Sequence, residues 1–99
     1  MTHKQVKKFL ITLFKDVNAV DPHLSDSEIA ETLLPDLAWF DGEMDNDPDF
    51  KKEALFRLVV KKFKDKFNGI EPVIVPFNGG VFDRDITVSE LAKEIADDT

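Results

Sequence analysis

Carboxylates at every second position between residues 41 and 49 are the side chains in this chain most suited to chemistry. They are Asp41, Glu43, Asp45, Asp47 and Asp49. Alternating oxygen ligands suit a calcium loop of the helix-loop-helix type, which also needs Gly at its sixth position and Glu at its twelfth. Counted from Asp41 or from Asp45, both of those positions hold other residues. We therefore predict no metal site and interpret the stretch as a solvated acidic loop.

Nucleophiles and bases are scarce elsewhere in the chain. The absence of cysteine excludes disulfides, thiolate metal sites and thiol catalysis. His3 and His23 have no nucleophile beside them in sequence and are interpreted as surface residues. The chain also lacks a glycine-rich phosphate loop followed by a helix. The sequence thus favours a protein that is not an enzyme and uses no cofactor.

The charge reverses abruptly along the chain. Residues 21–49 contain ten carboxylates and no Lys or Arg, whereas residues 51–66 contain seven basic and two acidic residues. The net charge of −7 argues against unassisted binding to nucleic acid or to an anionic membrane surface. No apolar stretch approaches the roughly 20 residues of a membrane span, and the first residues lack a signal-type core. We expect a monomer in the cytoplasm.

Length and composition favour a single domain over residues 1–99. Apolar residues make up 42% of the chain and nine residues are Phe. A chain of this size buries roughly two-thirds of its unfolded surface without disulfide or metal staples. The chain can therefore form an ordinary hydrophobic core.

Four helices are predicted from apolar spacing and from their end signals. Apolar residues at three- and four-residue steps predict a first helix over 3–17, ended by Asn18. Ser25 with Glu28, and Thr87 with Glu90, match capping boxes that open a second and a last helix. The longest helix is predicted to start at Pro48, after a capping Asp, and to stop at the Asn-Gly pair 68–69.

The stretch at about 70–85 follows a different pattern. It combines β-branched residues with Pro72 and Pro76, and Asn78-Gly79-Gly80 is a strong turn signal. We predict an irregular extended segment or a small hairpin here. The fold class expected is therefore all-α, a small four-helix bundle with this stretch inserted before the last helix.

The order of these parts resembles the acyl carrier protein family. The closing phrase ITVSELAKEIAD is similar to the usual ending of that family, and Phe63 matches an aromatic residue that commonly ends its second helix. The resemblance implies that Pro48-Asp49-Phe50 falls on the Asp-Ser-Leu motif, where the serine carries a phosphopantetheine arm. Asp49 stands at that serine position, so the attachment site is expected to be absent.

The only Asp-Ser pair of the chain, Asp26-Ser27, differs from the family pattern. It is followed by Glu28 and comes too soon after the first helix. Ser27 is therefore a secondary candidate for attachment of 4'-phosphopantetheine. The basic second long helix also departs from the family, in which this helix is typically acidic.

The first functional hypothesis is a carrier-like domain that acts through contact with another protein. Its predicted partner surface is Trp39 and Phe40 with the carboxylates at 41, 43, 45, 47 and 49, which suits a basic partner. The alternative for the two aromatic residues is an ordinary place in the core. Two other functions stay open: a functional but divergent acyl carrier, and an acidic inhibitor or immunity-type protein that covers a basic site.

Overall fold

Four α-helices form the described part of the fold. The computed structural model describes residues 1–37, 48–74 and 80–99, and for residues 48–51 it describes the backbone alone. The helices are α1 (His3–Asp16), α2 (Asp26–Ala30), α3 (Pro48–Lys66) and α4 (Val88–Asp98), with 3₁₀ turns at Leu34–Asp36 and Val81–Asp83. These ranges contain no β-strand, so the predicted all-α class is confirmed.

Three of the helices begin with a complete capping box. The hydroxyls of Thr2, Ser25 and Thr87 accept hydrogen bonds from the backbone N–H three residues later, at 3.2, 3.2 and 3.1 Å. In each case the side chain at that third position accepts a hydrogen bond from the backbone N–H of the capping residue. The two boxes predicted from sequence are confirmed, and the box at Thr2 is a third.

Helices α1 and α3 are each followed by residues in the left-handed backbone conformation. Asn18 has φ 58° just after α1, and Asn68 and Gly69 have φ 57° and 82° just after α3. Both predicted ends are thereby confirmed, since Asn and Gly adopt this backbone conformation most readily. The predicted start of α3 at Pro48 is confirmed as well.

The core is built around α1, which packs along α4. Val6, Leu10 and Phe14 lie one turn apart on α1 and are completely buried. Opposite them, α4 buries Val88, Leu91, Ala92 and Ile95. The first helix also buries Phe9, Ile11 and Leu13, and it contacts α2 and α3 as well as α4.

An aromatic cluster joins α3 to α1. The ring centroid of Phe9 lies 5.5 Å from that of Phe63 and 5.9 Å from that of Phe67, both in edge-to-face geometry. The rings of Phe63 and Phe67 are 4.5 Å apart. Large side chains therefore bridge these two helices, and α3 adds Leu55 and Val59 to the same core.

The two 3₁₀ turns pack on each other and close the end of the core. Leu33 and Thr87 form an isolated antiparallel bridge, and the N–H of Leu34 donates to the carbonyl of Ile86 at 2.8 Å. The second helix ends at Ala30, and the buried Leu34 belongs to the following 3₁₀ turn. After α2 the chain therefore pairs with residues 86–87, just before α4, and does not continue as a helix.

The stretch at about 70–85 forms no hairpin in the portion that the structure describes. Residues 70–74 have no regular structure, and the residues just after the turn signal at 78–80 form the 3₁₀ turn Val81–Asp83. Phe82 in that turn is buried, with its ring 6.3 Å from that of Phe14. Residues 75–79, including most of the predicted turn, lie outside the described residues.

Candidate functional site

Most of the partner surface predicted from sequence lies outside the described residues. This applies to Trp39, Phe40, Asp41, Glu43, Asp45 and Asp47. Asp49 lies in the first turn of α3, and the structure describes its backbone only. The surface therefore stays a prediction.

Ser27, the secondary candidate for attachment of an arm, lies in α2. This helix has five residues, and the Ser27 side chain is exposed. The cap of the helix is supplied by Ser25 instead, so the Ser27 hydroxyl is not used for capping. It is open to solvent, in the first turn of a short helix.

A histidine and a serine that are 86 positions apart meet at the starts of α1 and α4. His3 Nε2 lies 3.0 Å from the backbone carbonyl oxygen of Ser89 and 3.2 Å from Ser89 Oγ. A carbonyl oxygen only accepts, so the hydrogen bond to it requires a proton on Nε2. That nitrogen is then unable to remove the hydroxyl proton of Ser89. We interpret the contact as a structural tie between two helix starts, not as a base and its nucleophile.

Two ion pairs hold the 3₁₀ turn at Val81–Asp83 against its neighbours. Arg84 donates to both carboxylate oxygens of Glu94 in α4, at 2.5 and 2.9 Å. Lys52 Nζ of α3 lies 2.5 Å from Asp83 Oδ1. The hydrogen bond from Arg84 lowers the pKa of Glu94 and the charge of Arg84 adds to this, although partial burial acts in the opposite direction. These pairs stabilise the packing of the turn.

Metal ligands do not converge in the described ranges. There, no group of three or more His, Asp or Glu side chains is close enough to hold a metal ion. The chain contains no cysteine to supply thiolates. Among the described carboxylates, Glu28 and Glu90 complete capping boxes, and five others each pair with a single cation: Asp26, Glu53, Glu71, Asp83 and Glu94.

Positive charge is concentrated on α1 and α3. Together these helices hold eleven of the thirteen Lys and Arg residues but four of the twenty Asp and Glu residues. The rest of the chain therefore has two basic and sixteen acidic residues. Because α1 and α3 are neighbours, the protein combines a basic pair of helices with a strongly acidic remainder.

A groove of about 870 Å³ lies between α1 and α3. Its floor is apolar and includes the half-buried side chains of Val17, Leu58 and Phe67. Polar and charged residues line its sides: Gln5, Lys8, Thr12, Asp16, Lys62, Asp65 and Lys66. The groove was not predicted from sequence. The pattern of exposed residues on α1 and on α3 does not show that the two helices lie side by side.

The lysines of the groove differ from the five cations that form ion pairs in the described residues. Lys8, Lys62 and Lys66 are exposed and form no ion pair with any residue that the structure describes. By contrast, Lys15, Lys52, Arg57, Lys64 and Arg84 each contact a carboxylate. The charges beside the groove are thus free to pair with another molecule.

Comparison with known proteins identifies no relative of this chain. The chain matches no protein-family model, no curated protein and no solved structure. Across the described ranges, none of the helices has both the length and the apolar character required to cross a membrane. The functional assignment therefore depends on the residues themselves.

Proposed function

We propose that this protein is a non-catalytic helical domain of the acyl carrier type that acts through contact with another protein. In this proposal it has no phosphopantetheine arm. The observation that carries it is the start of α3 at Pro48, because the resemblance then places Asp49 in the first turn, where the carrier serine would be. A carboxylate at that place has no hydroxyl to accept the arm.

The proposed partner surface consists of Trp39 and Phe40 with the acidic residues at 41, 43, 45, 47 and 49. The supporting argument is the uneven charge of the chain: outside α1 and α3, acidic residues outnumber basic ones by sixteen to two. A ring of carboxylates around an aromatic anchor favours a basic protein partner, both in rate of encounter and in specificity.

A divergent but functional acyl carrier is the second candidate. The specific observation in its favour is the exposed hydroxyl of Ser27, which follows Asp26 at the start of α2. The Asp-Ser order and the helix start match the carrier pattern. The short helix and Glu28 at the next position do not.

The carrier part of the proposal is tested by modification with a phosphopantetheinyl transferase and coenzyme A, followed by intact mass. We expect the unchanged chain to gain no mass, and Asp49→Ser to gain one phosphopantetheine group. Asp97→Ser, at the exposed end of α4, is the matched control and is expected to stay unmodified.

Two results would contradict this part. Modification of the unchanged chain that disappears in Ser27→Ala would establish the second candidate. An unmodified Asp49→Ser variant, with a known carrier protein labelled in the same reaction, would remove the support for a carrier-type arrangement.

The contact part is tested by neutralising Asp41, Glu43, Asp45 and Asp47 to the corresponding amides. We expect the unchanged chain to retain basic proteins at low salt and to release them as salt screens the charges. The amide variant should retain them much less. Asp97→Asn with Asp98→Asn is the control, and equal capture by all three proteins would count against the predicted surface.

A further inference from the structure

The groove between α1 and α3 combines an apolar floor with unpaired lysines. We infer that it binds an acidic amphipathic helix of a partner protein. This inference goes beyond the proposed function, because it concerns a second surface of opposite charge to the acidic residues at 41–49. It shares with that proposal only the premise that the protein acts by contact.

The shape of the groove suits a helix. Along α1 its lining extends from Gln5 to Val17, which at 1.5 Å per residue corresponds to about 18 Å, or roughly three helical turns. A helix laid in such a groove presents apolar anchors at one- and two-turn spacing. Val17, Leu58 and Phe67 are the half-buried contacts available to those anchors.

The charges select an acidic occupant. Lys8 stands on the α1 side of the groove, and Lys62 and Lys66 stand on the α3 side. They outnumber Asp16 and Asp65, which also line the groove, and they belong to the two helices that hold most of the basic residues. Because the rest of the protein is strongly acidic, an acidic partner is attracted to this side and repelled from the others.

A second copy of this chain fits the groove less well. Its acidic described helices are α2 and α4, and their apolar residues already face the core of their own molecule. Neither helix has a free apolar face to lay on the floor of the groove. A helix from a different protein is the occupant that satisfies both the floor and the lysines.

The test uses a fluorescein-labelled amphipathic peptide of about 18 residues, with Leu at i, i+3, i+4 and i+7 positions, four Glu on the opposite face and Ala elsewhere to favour the helix. A second peptide has Lys in place of every Glu. We expect the unchanged protein to bind the acidic peptide at least about tenfold more tightly than the basic one. Amide chemical-shift changes should cluster at residues 5–17 and 58–67.

Matched charge reversals locate the binding site. Lys8→Glu with Lys62→Glu should weaken acidic-peptide binding by about tenfold. Lys61→Glu with Lys93→Glu changes the net charge by the same amount at exposed lysines outside the groove, and should weaken it by less than about twofold. Thr12→Glu places a carboxylate at an exposed position beside the floor, and should independently weaken binding of the acidic peptide.

Several outcomes would overturn the inference. They are equal binding of the two peptides, equal weakening by the two double variants, no binding, and shift changes away from the groove. Concentration-dependent shifts of the groove amides without peptide would identify a second copy as the occupant instead. None of these outcomes depends on phosphopantetheine transfer or on residues 39–47, so failure here is separable from failure of the proposed function.

Discussion

At the scale of single residues, the contact between Arg84 and Glu94 shows how the polar groups of this protein are used. Both carboxylate oxygens accept hydrogen bonds from one guanidinium, which joins the 3₁₀ turn at Val81–Asp83 to α4. A bidentate pair of this kind is stronger and more specific in geometry than a single exposed ion pair. It therefore positions the turn, and with it the buried Phe82.

Glu94→Gln should lower the free energy of unfolding at pH 7 by about 1 kcal/mol. The pKa of Glu94 is lowered in the folded protein, so folding favours the carboxylate. This stabilisation is complete above the ordinary Glu pKa of about 4.3 and is lost as the pH falls through the lower folded value. Urea unfolding followed by circular dichroism at several pH values measures the difference.

Glu53→Gln is the control for this prediction. Glu53 pairs with Arg57 one turn away on α3, and both side chains are mostly exposed. Such pairs contribute only a few tenths of a kcal/mol. A difference between wild type and Glu94→Gln that grew toward acidic pH would contradict the role assigned to the Arg84 contact.

At the scale of elements, the capping boxes determine where α1, α2 and α4 begin. The box at Thr87 matters most, because the start of α4 is also where several other contacts meet. The N–H of Val88 donates to the carbonyl of Thr32 at 3.0 Å, and His3 binds at Ser89. The end of the α2 segment and the start of α1 are thus held at the first turn of α4.

Thr87→Ala should destabilise the protein by about 1 kcal/mol, because the N–H of Glu90 loses its acceptor. Thr87→Ser retains the hydroxyl and should restore most of that loss. Thr12→Ala, in the exposed middle of α1, is the control and should change stability by less than about 0.5 kcal/mol. Urea unfolding would speak against the capping role if the Ala and Ser variants at 87 were equally stable.

At the scale of the whole molecule, two kinds of packing share one core. α1 and α4 approach closely along their length, whereas α3 reaches α1 through the rings of Phe9, Phe63 and Phe67. The groove lies between α1 and α3, where these large side chains separate the two helices. The radius of gyration, 12.6 Å, is that of a compact domain of about 100 residues.

Phe63→Ala should lower the free energy of unfolding by about 3–5 kcal/mol, since the ring is completely buried between α1 and α3. Phe67→Ala, at the half-buried edge of the same cluster, should cost clearly less. The total free energy of unfolding of a small domain is only about 5–15 kcal/mol, so Phe63→Leu provides a milder second variant. Equal losses for Phe63→Ala and Phe67→Ala in urea unfolding would contradict this account of the cluster.

Local signals in the sequence determined the helix class and most helix ends. Ser25, Thr87 and Pro48 mark starts, and Asn18 and Asn68 mark stops, because a cap or a left-handed stop needs partners only three to five residues away. The fate of residues 70–85 was harder to predict. The β-branched pattern left an irregular extended segment and a small hairpin both open, and burial of Phe82 beside Phe14 stabilises a 3₁₀ turn at Val81–Asp83.

Only the tertiary structure decided which distant residues meet. The tie between His3 and Ser89 spans 86 positions, and the groove joins Lys8 to lysines more than fifty residues further along the chain. No periodicity within one helix encodes which other helix lies beside it, because that choice depends on the packing of all the buried side chains together. The sequence by itself therefore determined the helices and the acidic character of residues 39–49, and the packing of α3 on α1 decided where the basic groove lies.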